Sequence, residues 1–231
     1  GLEVTIELVP MLGATRALRD GAAIAAVAGS VFDLLTEFED WCGARLCVAL
    51  SHGTPWLLTM RADLAAALAE IAALRGLRLT AAEGPDLAFR KLLRAGGLDP
   101  DRDLEIVALP GAHERHVSFG VFAAQALEAG RIDGFWANAM GAETAVSRGV
   151  GKVHVDVRRG DDPADVRFCT FAGLATTDDF IARQPDAIDA AVRAIVKAQA
   201  ALRADPALAR EVGARKFPPE AASLIATIVA R

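Results

Sequence analysis

The chain has 231 residues, with 25 basic and 30 acidic side chains, a net charge of −5 and a pI near 5.4. The charges are scattered without a basic cluster, so the electrostatic footprint of a nucleic-acid binder is missing and nucleic acid is not expected as a partner. Hydrophobic residues reach 53% and mean hydropathy is +0.30. Alanine carries most of that, and the most apolar run, Ala22 to Leu35, is broken by Gly29, Ser30 and Asp33, short of the ~18 uninterrupted apolar residues a spanning helix needs.

Leu2, Val4, Ile6 and Leu8 alternate with polar neighbours, which predicts a half-buried strand. A short helix is expected over Gly13 to Arg19, ending at Asp20-Gly21. The continuous apolar run Ala22 to Ala28 then suits a buried parallel strand. A helix from Val31 to Trp41 stops at Gly43, and strands follow at Arg45 to Leu50 and Trp56 to Met60. Ala62 to Leu74 reads as an amphipathic helix, with Leu64, Leu68, Ile71 and Leu74 on one face.

After Gly76 come a strand over Leu77 to Ala81 and a helix from Pro85 to Ala95, with Gly96-Gly97 as a left-handed stop. Strands are expected at Leu104 to Leu109, Ile132 to Ala137, Val153 to Val157 and Phe168 to Ala175. Helices lie over Val117 to Ala129, closed by Gly130, and before Gly149. Strands alternating with helices predict an α/β fold with mainly parallel sheets. From Asp178 onward the pattern is helical only, the longest stretch being Pro185 to Ala204.

Taken in order, these elements resemble the substrate-binding proteins of ABC importers for nitrate, sulfonates, taurine and thiamine-pyrimidine precursors. The carrying residues are Gly1-Leu2-Glu3-Val4, Leu74-Arg75-Gly76-Leu77-Arg78-Leu79, Gly97-Leu98-Asp99-Pro100, Glu105-Ile106-Val107, Leu109-Pro110 and Ala126-Leu127-Glu128-Ala129-Gly130-Arg131-Ile132-Asp133-Gly134. Phe180-Ile181, Pro185-Asp186 and Ala194-Ile195-Val196-Lys197-Ala198 complete the match. The resemblance implies a two-lobed type 2 periplasmic-binding-protein fold with a helical C-terminal region. Lobe 1 is expected over residues 1–75 plus 168–231 and lobe 2 over 76–167, with crossings near 74–78 and 166–170. It also implies a monomer that closes by a hinge on a small-molecule ligand, works with an ABC permease in the membrane, and resides in the periplasm.

No signal peptide opens the chain, which starts at Gly1 and reads as a processed or trimmed product. The family begins with a strand, a loop and a helix that this sequence lacks, so about 30 preceding residues are expected, the size of a βα unit. A sheet without that strand is expected to leave backbone groups unpaired.

Ligand in such a fold sits where strand ends and helix N-termini converge. The candidate contacts are Gly29 and Ser30, Ser51 and His52, Glu83 and Gly84 before Pro85-Asp86, Trp136 and Asn138, with Phe171 in a floor strand. Each has a plainer role beside it. Ser30 equally suits a helix N-cap, and His52 taken alone is more often a surface histidine. Trp136 directly after a strand leans toward the ligand, whereas Trp56 leans toward packing. The carboxylates of Glu83 and Asp86 at a helix N-terminus disfavour a small inorganic oxyanion. A flat neutral or partly cationic heterocycle over Trp136 is the expected ligand.

Catalysis is not expected, and neither a cofactor nor a metal is called for. The sequence has no G-x-S-x-G elbow, Walker loop or dinucleotide fingerprint. His113-Glu114-Arg115-His116 has its histidines three apart, which satisfies zinc-ligand spacing only loosely. Cys42, Cys47 and Cys169 are too few for a disulfide framework and are expected to be small buried residues, pairing of Cys42 with Cys47 staying open. Two alternatives share the fold: an enzyme of the thiamine-pyrimidine-synthase or small-acid-decarboxylase kind, and the effector-sensing half of a transcription regulator.

Overall fold

A computed structural model of the chain describes residues 3–7, 9, 11–21, 25–51, 53, 55–65, 70–82, 85–111, 118–167, 172–216, 222, 224–225 and 228. The chain divides into two compact units, one formed by Gly1–His52 with Thr170–Val212 and the other by Gly53–Cys169 with Gly213–Arg231. In chain order the helices are α1 (Met11–Arg19), α2 (Val31–Glu37), α3 (Ala62–Ala65), α4 (Asp86–Ala95), α5 (Phe119–Glu128), α6 (Ala139–Ser147), α7 (Ala164–Arg167), α8 (Asp178–Arg183), α9 (Pro185–Ala204) and α10 (Ala207–Lys216). The strands are β1 (Val27–Ser30), β2 (Ala44–Ala49), β3 (Trp56–Arg61), β4 (Arg78–Ala81), β5 (Glu105–Ile106), β6 (Gly134–Asn138), β7 (Gly151–Asp156) and β8 (Ala172–Thr177). Among the described residues no helix is long and apolar enough to cross a membrane.

The first unit holds a three-stranded sheet in the order β1-β8-β2. Its core is Leu18 from α1, Val27, Leu34 and Phe38 from the α2 segment, Ala44 and Ala175. Each such side chain removed from water contributes on the order of 1–3 kcal/mol. The unit is also clamped by charge. Glu37, whose side chain is buried, accepts Arg16 Nε at 2.7 Å and also pairs with Arg19, tying α1 to α2. At the outer strand β2, Gln199 of α9 donates to the carbonyls of Ala49 and Leu50, satisfying acceptors that an edge leaves open.

The second unit has a five-stranded sheet, β5-β4-β6-β3-β7. On one face Phe135 and Ala137 meet Ala123, Ala124 and Leu127 of α5 and Ala145 of α6. On the other, Trp136 stacks on Phe89 of α4 with ring centroids 5.7 Å apart and planes at 20°. Helix ends fall where glycine permits them. Gly130 has φ +68°, and the bonds Gly130 N to Leu127 O and Arg131 N to Ala126 O close α5 as a Schellman motif.

Several expectations change. The second sheet is mixed, with β4 parallel to β5 and β6 while β3 runs antiparallel to β6 and β7, and the first is antiparallel, β8 against both β1 and β2. An apolar run reports burial and carries no strand direction, so the mainly parallel reading had no physical hold on these pairs. The first crossing falls earlier than residue 75, because β3 is hydrogen-bonded on both sides within the second sheet. The units divide at 52/53, 169/170 and 212/213, where the expected lobes divided at 75/76 and 167/168.

Finally, Glu3–Glu7 form no strand, and Val4 and Ile6 are 69% and 83% exposed. Alternation specifies a face, but a strand also needs a hydrogen-bonded neighbour. The apolar run near residue 22 likewise yields its strand later, at Val27–Ser30, with residues 22–24 outside the described set.

Candidate functional site

The parallel strands β4, β5 and β6 end on one side of the second sheet, and each leads toward a helix that starts there. This arrangement collects free backbone N–H groups and the positive ends of helix dipoles at the carboxyl edge of the strands. Asn138 is both the last residue of β6 and the N-cap of α6, its Oδ1 accepting Gly141 N at 3.3 Å. Ser118 caps α5 by position only: its hydroxyl makes no cap bond, and Oγ is buried with no partner among the described residues.

Two glycines bring these helix starts together. A Cβ on Gly120 would stand 2.8 Å from Asn138 Oδ1 and 2.9 Å from Gly141 Cα, and one on Gly141 would stand 2.6 Å from Gly120 Cα. At the same edge Trp56 of β3 is in register with Asn138, and Ala81 of β4 with Trp136. The start of α4 differs. Pro85 provides no side-chain cap, and Asp86 pairs with Arg90, Nε to Oδ2 at 3.3 Å. The anion-repelling charge expected there is thus partly answered within the helix.

In the first unit, Ser30 is 4% exposed and its Oγ accepts Asp33 N at 3.4 Å, the plain N-cap role. Ser30 is in register with Ala172 of β8, and Leu50 N donates to Ala172 O at 2.8 Å. Gly29, Ser30 and Ser51 therefore gather at one end of that sheet, around the start of β8. Ser51 is half-buried, its Oγ unpartnered among the described residues.

Trp136 is corrected from ligand contact to core. It is fully buried and its ring is covered by Phe89, so it supports the strand edge from below instead of offering a face to a ligand. Trp56 is buried, as its packing role required. His52, Glu83, Gly84 and Phe171 lie outside the described residues, as do His113, Glu114, Arg115, His116 and Cys169. Cys42 and Cys47 are free; Cys42 is exposed, against the expectation of burial, and Cys47 is half-buried. Among the described residues no group of three or more His, Cys, Asp or Glu side chains is arranged to hold a metal.

Sequence reasoning missed Ser118, which it placed inside a helix begun at Val117. The signal was present: a serine immediately before an apolar helical run is an N-cap signature.

A protein-family model described as the NMT1-like family matches residues 45–215. Among solved structures, the periplasmic sulfonate-binding protein SsuA of Methylobacillus flagellatus KT aligns with a TM-score of 0.68 at 20% identity, over 91% of this chain and 59% of its own. The aliphatic sulphonate-binding protein SsuA of Escherichia coli aligns at 0.72 and 15% identity, over 97% and 67%. The nitrate-binding protein NrtA of Synechocystis PCC 6803 aligns at 0.60 and 15%, over 83% and 51%. The chain thus spans 59% of the Methylobacillus protein's length, and at these identities the likeness is one of fold. No curated protein matches the chain.

Proposed function

The chain belongs to the NMT1-like family, and from that premise we propose that it is the solute-binding component of an ABC import system, holding a small organic molecule without turning it over. The observation that carries this reading is the shared edge of β4, β5 and β6, where Ser118 and Asn138 begin two helices in contact through Gly120 and Gly141. Paired helix starts with free amides suit an oxygen-bearing acceptor group on the solute. Ser30, Gly29 and Ser51 are the candidate contacts in the first unit, and His52, Glu83, Gly84 and Phe171 remain part of the proposal. A membrane permease as partner, a periplasmic place of work and a monomeric state belong to the same proposal.

Native mass spectrometry of the purified chain, followed by denaturation, tests the reading. A compact monomer that releases a small, unmodified molecule is the expected outcome. Chemical conversion of that molecule on incubation with fresh protein would replace binding by catalysis. No retained solute, together with no thermal shift from a panel of organic sulfonates, carboxylates and pyrimidines, would remove the proposal.

A further inference from the structure

A groove of about 590 Å³ opens on the second unit, its walls including Glu70, Ile71, Leu92, His154, Val155 and Asp161. It lies on the α4 face of the sheet: Val155 and Trp136 are both opposite Leu58, and Trp136 packs on Phe89 of α4, whose Leu92 lines the groove. Helices α5 and α6, which Ser118 and Asn138 begin, pack on the other face through Phe135 and Ala137, so the groove's chemistry stands independently of that reading.

His154 and Val155 both line this groove, although successive residues of a regular strand face opposite sides. The pairing of β7 with β3 explains how. Leu58 is opposite Val155 and Thr59 opposite Val153, leaving His154 as the extra residue of a β-bulge. A bulge turns a side chain out of the strand's alternation, and bulges are frequent beside binding sites. The floor is apolar: Leu92 and Val155 are 1% and 4% exposed.

The polar groups of the groove are of one kind. Among its described lining residues none is lysine or arginine, while Glu70 and Asp161 are carboxylates. Asp161 uses Oδ2 for Asp156 N at 3.0 Å and Arg159 Nη2 at 2.9 Å. Burial pulls the His154 pKa down, and Asp161 opposes this only partly, so the imidazole is neutral at pH 7 and offers an acceptor nitrogen. With Asp161 already paired to Arg159, the Glu70 carboxylate and the His154 imidazole above an apolar floor disfavour an anion and suit an N–H-rich cation with a hydrocarbon body.

We propose that this groove is a second binding site, for a small organic ammonium whose apolar or aromatic body covers Ile71, Leu92 and Val155 while its N–H groups face Glu70 and His154.

Benzylamine titrated into the full chain at pH 7.5, followed by the NMR signals of the His154 ring, tests this; His154→Asn assigns the signals. The expected result is a saturable shift with a dissociation constant on the order of 1 mM, as eight heavy atoms allow. Benzoate is expected to leave the signals unmoved. Glu70→Gln should weaken benzylamine about three-fold, the size of one exposed charge contact. Ala95→Phe, at an exposed position on the groove wall, should abolish the shift while the melting temperature stays near that of the parent chain. Equal shifts from benzoate and benzylamine, no saturable shift up to the solubility limit, or unchanged affinity in folded Ala95→Phe would each overturn the proposal.

Discussion

Asp133 holds the start of β4 through Arg78: its Oδ2 accepts the Arg78 backbone N–H at 2.9 Å and Nε at 3.2 Å, and Oδ1 accepts Nη2 at 3.0 Å. Arg61, the last residue of β3, adds Nη1 to Oδ1 at 3.1 Å. One buried carboxylate thus sits among three neighbouring strands, immediately before β6. The resemblance marked Ile132-Asp133-Gly134 as a motif; the geometry identifies Asp133 as a structural latch.

Burial pushes the Asp133 pKa up, but the Arg78 side-chain and backbone bonds, with the charges of Arg78 and Arg61, outweigh it and hold the carboxyl below the usual range. A carboxyl depressed in the folded state contributes stability that is fully present above its unfolded pKa of about 3.9 and is lost as pH falls through the folded value. Asp133→Asn should therefore cost about 2 kcal/mol at pH 7 in urea denaturation. It should also flatten the loss of stability below about pH 4, and a variant with an unchanged acid limb would show that other carboxylates set it.

The contact between α5 and α6 predicts an inversion of helix propensity. Alanine normally gains about 1 kcal/mol over glycine inside a helix. In Gly141→Ala the new Cβ meets the Gly120 backbone, its nearest atom only 2.6 Å away, so a helix must shift. A net destabilisation of about 1–3 kcal/mol is expected, measured by denaturant midpoint. A stabilised variant would mean that the two helix starts are loosely held.

Asn138 separates capping from binding. Asn138→Ala should lose about 1 kcal/mol of stability with the cap, whereas Asn138→Asp keeps a cap oxygen and should stay near the parent. If Asn138 touches the solute, both variants should bind the released molecule at least several-fold more weakly, as isothermal titration would record. Intact affinity in both would exclude Asn138 from the site.

The cysteines should differ in reactivity. Cys42 is exposed, while burial raises the Cys47 thiol above its usual pKa, with the Arg45 charge opposing in part. Brief alkylation at pH 7.5 followed by peptide mapping should label Cys42 well before Cys47, and Cys42→Ser should lose the fast label. Comparable early labelling of Cys47 would place its sulfur in water.

Much of the architecture was legible because local chemistry decides it. Ser30 ahead of α2, glycines at φ near +70° to +84° after helices, and the alternation of apolar runs marked most elements within a few residues. Those signals act within one or two turns of chain and need no distant partner.

What the sequence by itself determined was therefore the alternation of strands and helices, the family likeness and the strand ends at which Ser30, Ser51 and Asn138 stand. Only the tertiary structure decided strand direction, the membership of β3 in the second sheet and the enclosure of Trp136 by Phe89. The same holds for the bulge that brings His154 into line with Val155, and for the failure of Val4 and Ile6 to join a strand. These features depend on which segments, far apart in sequence, supply hydrogen-bond partners and packing surfaces to one another, and local periodicity does not encode that choice.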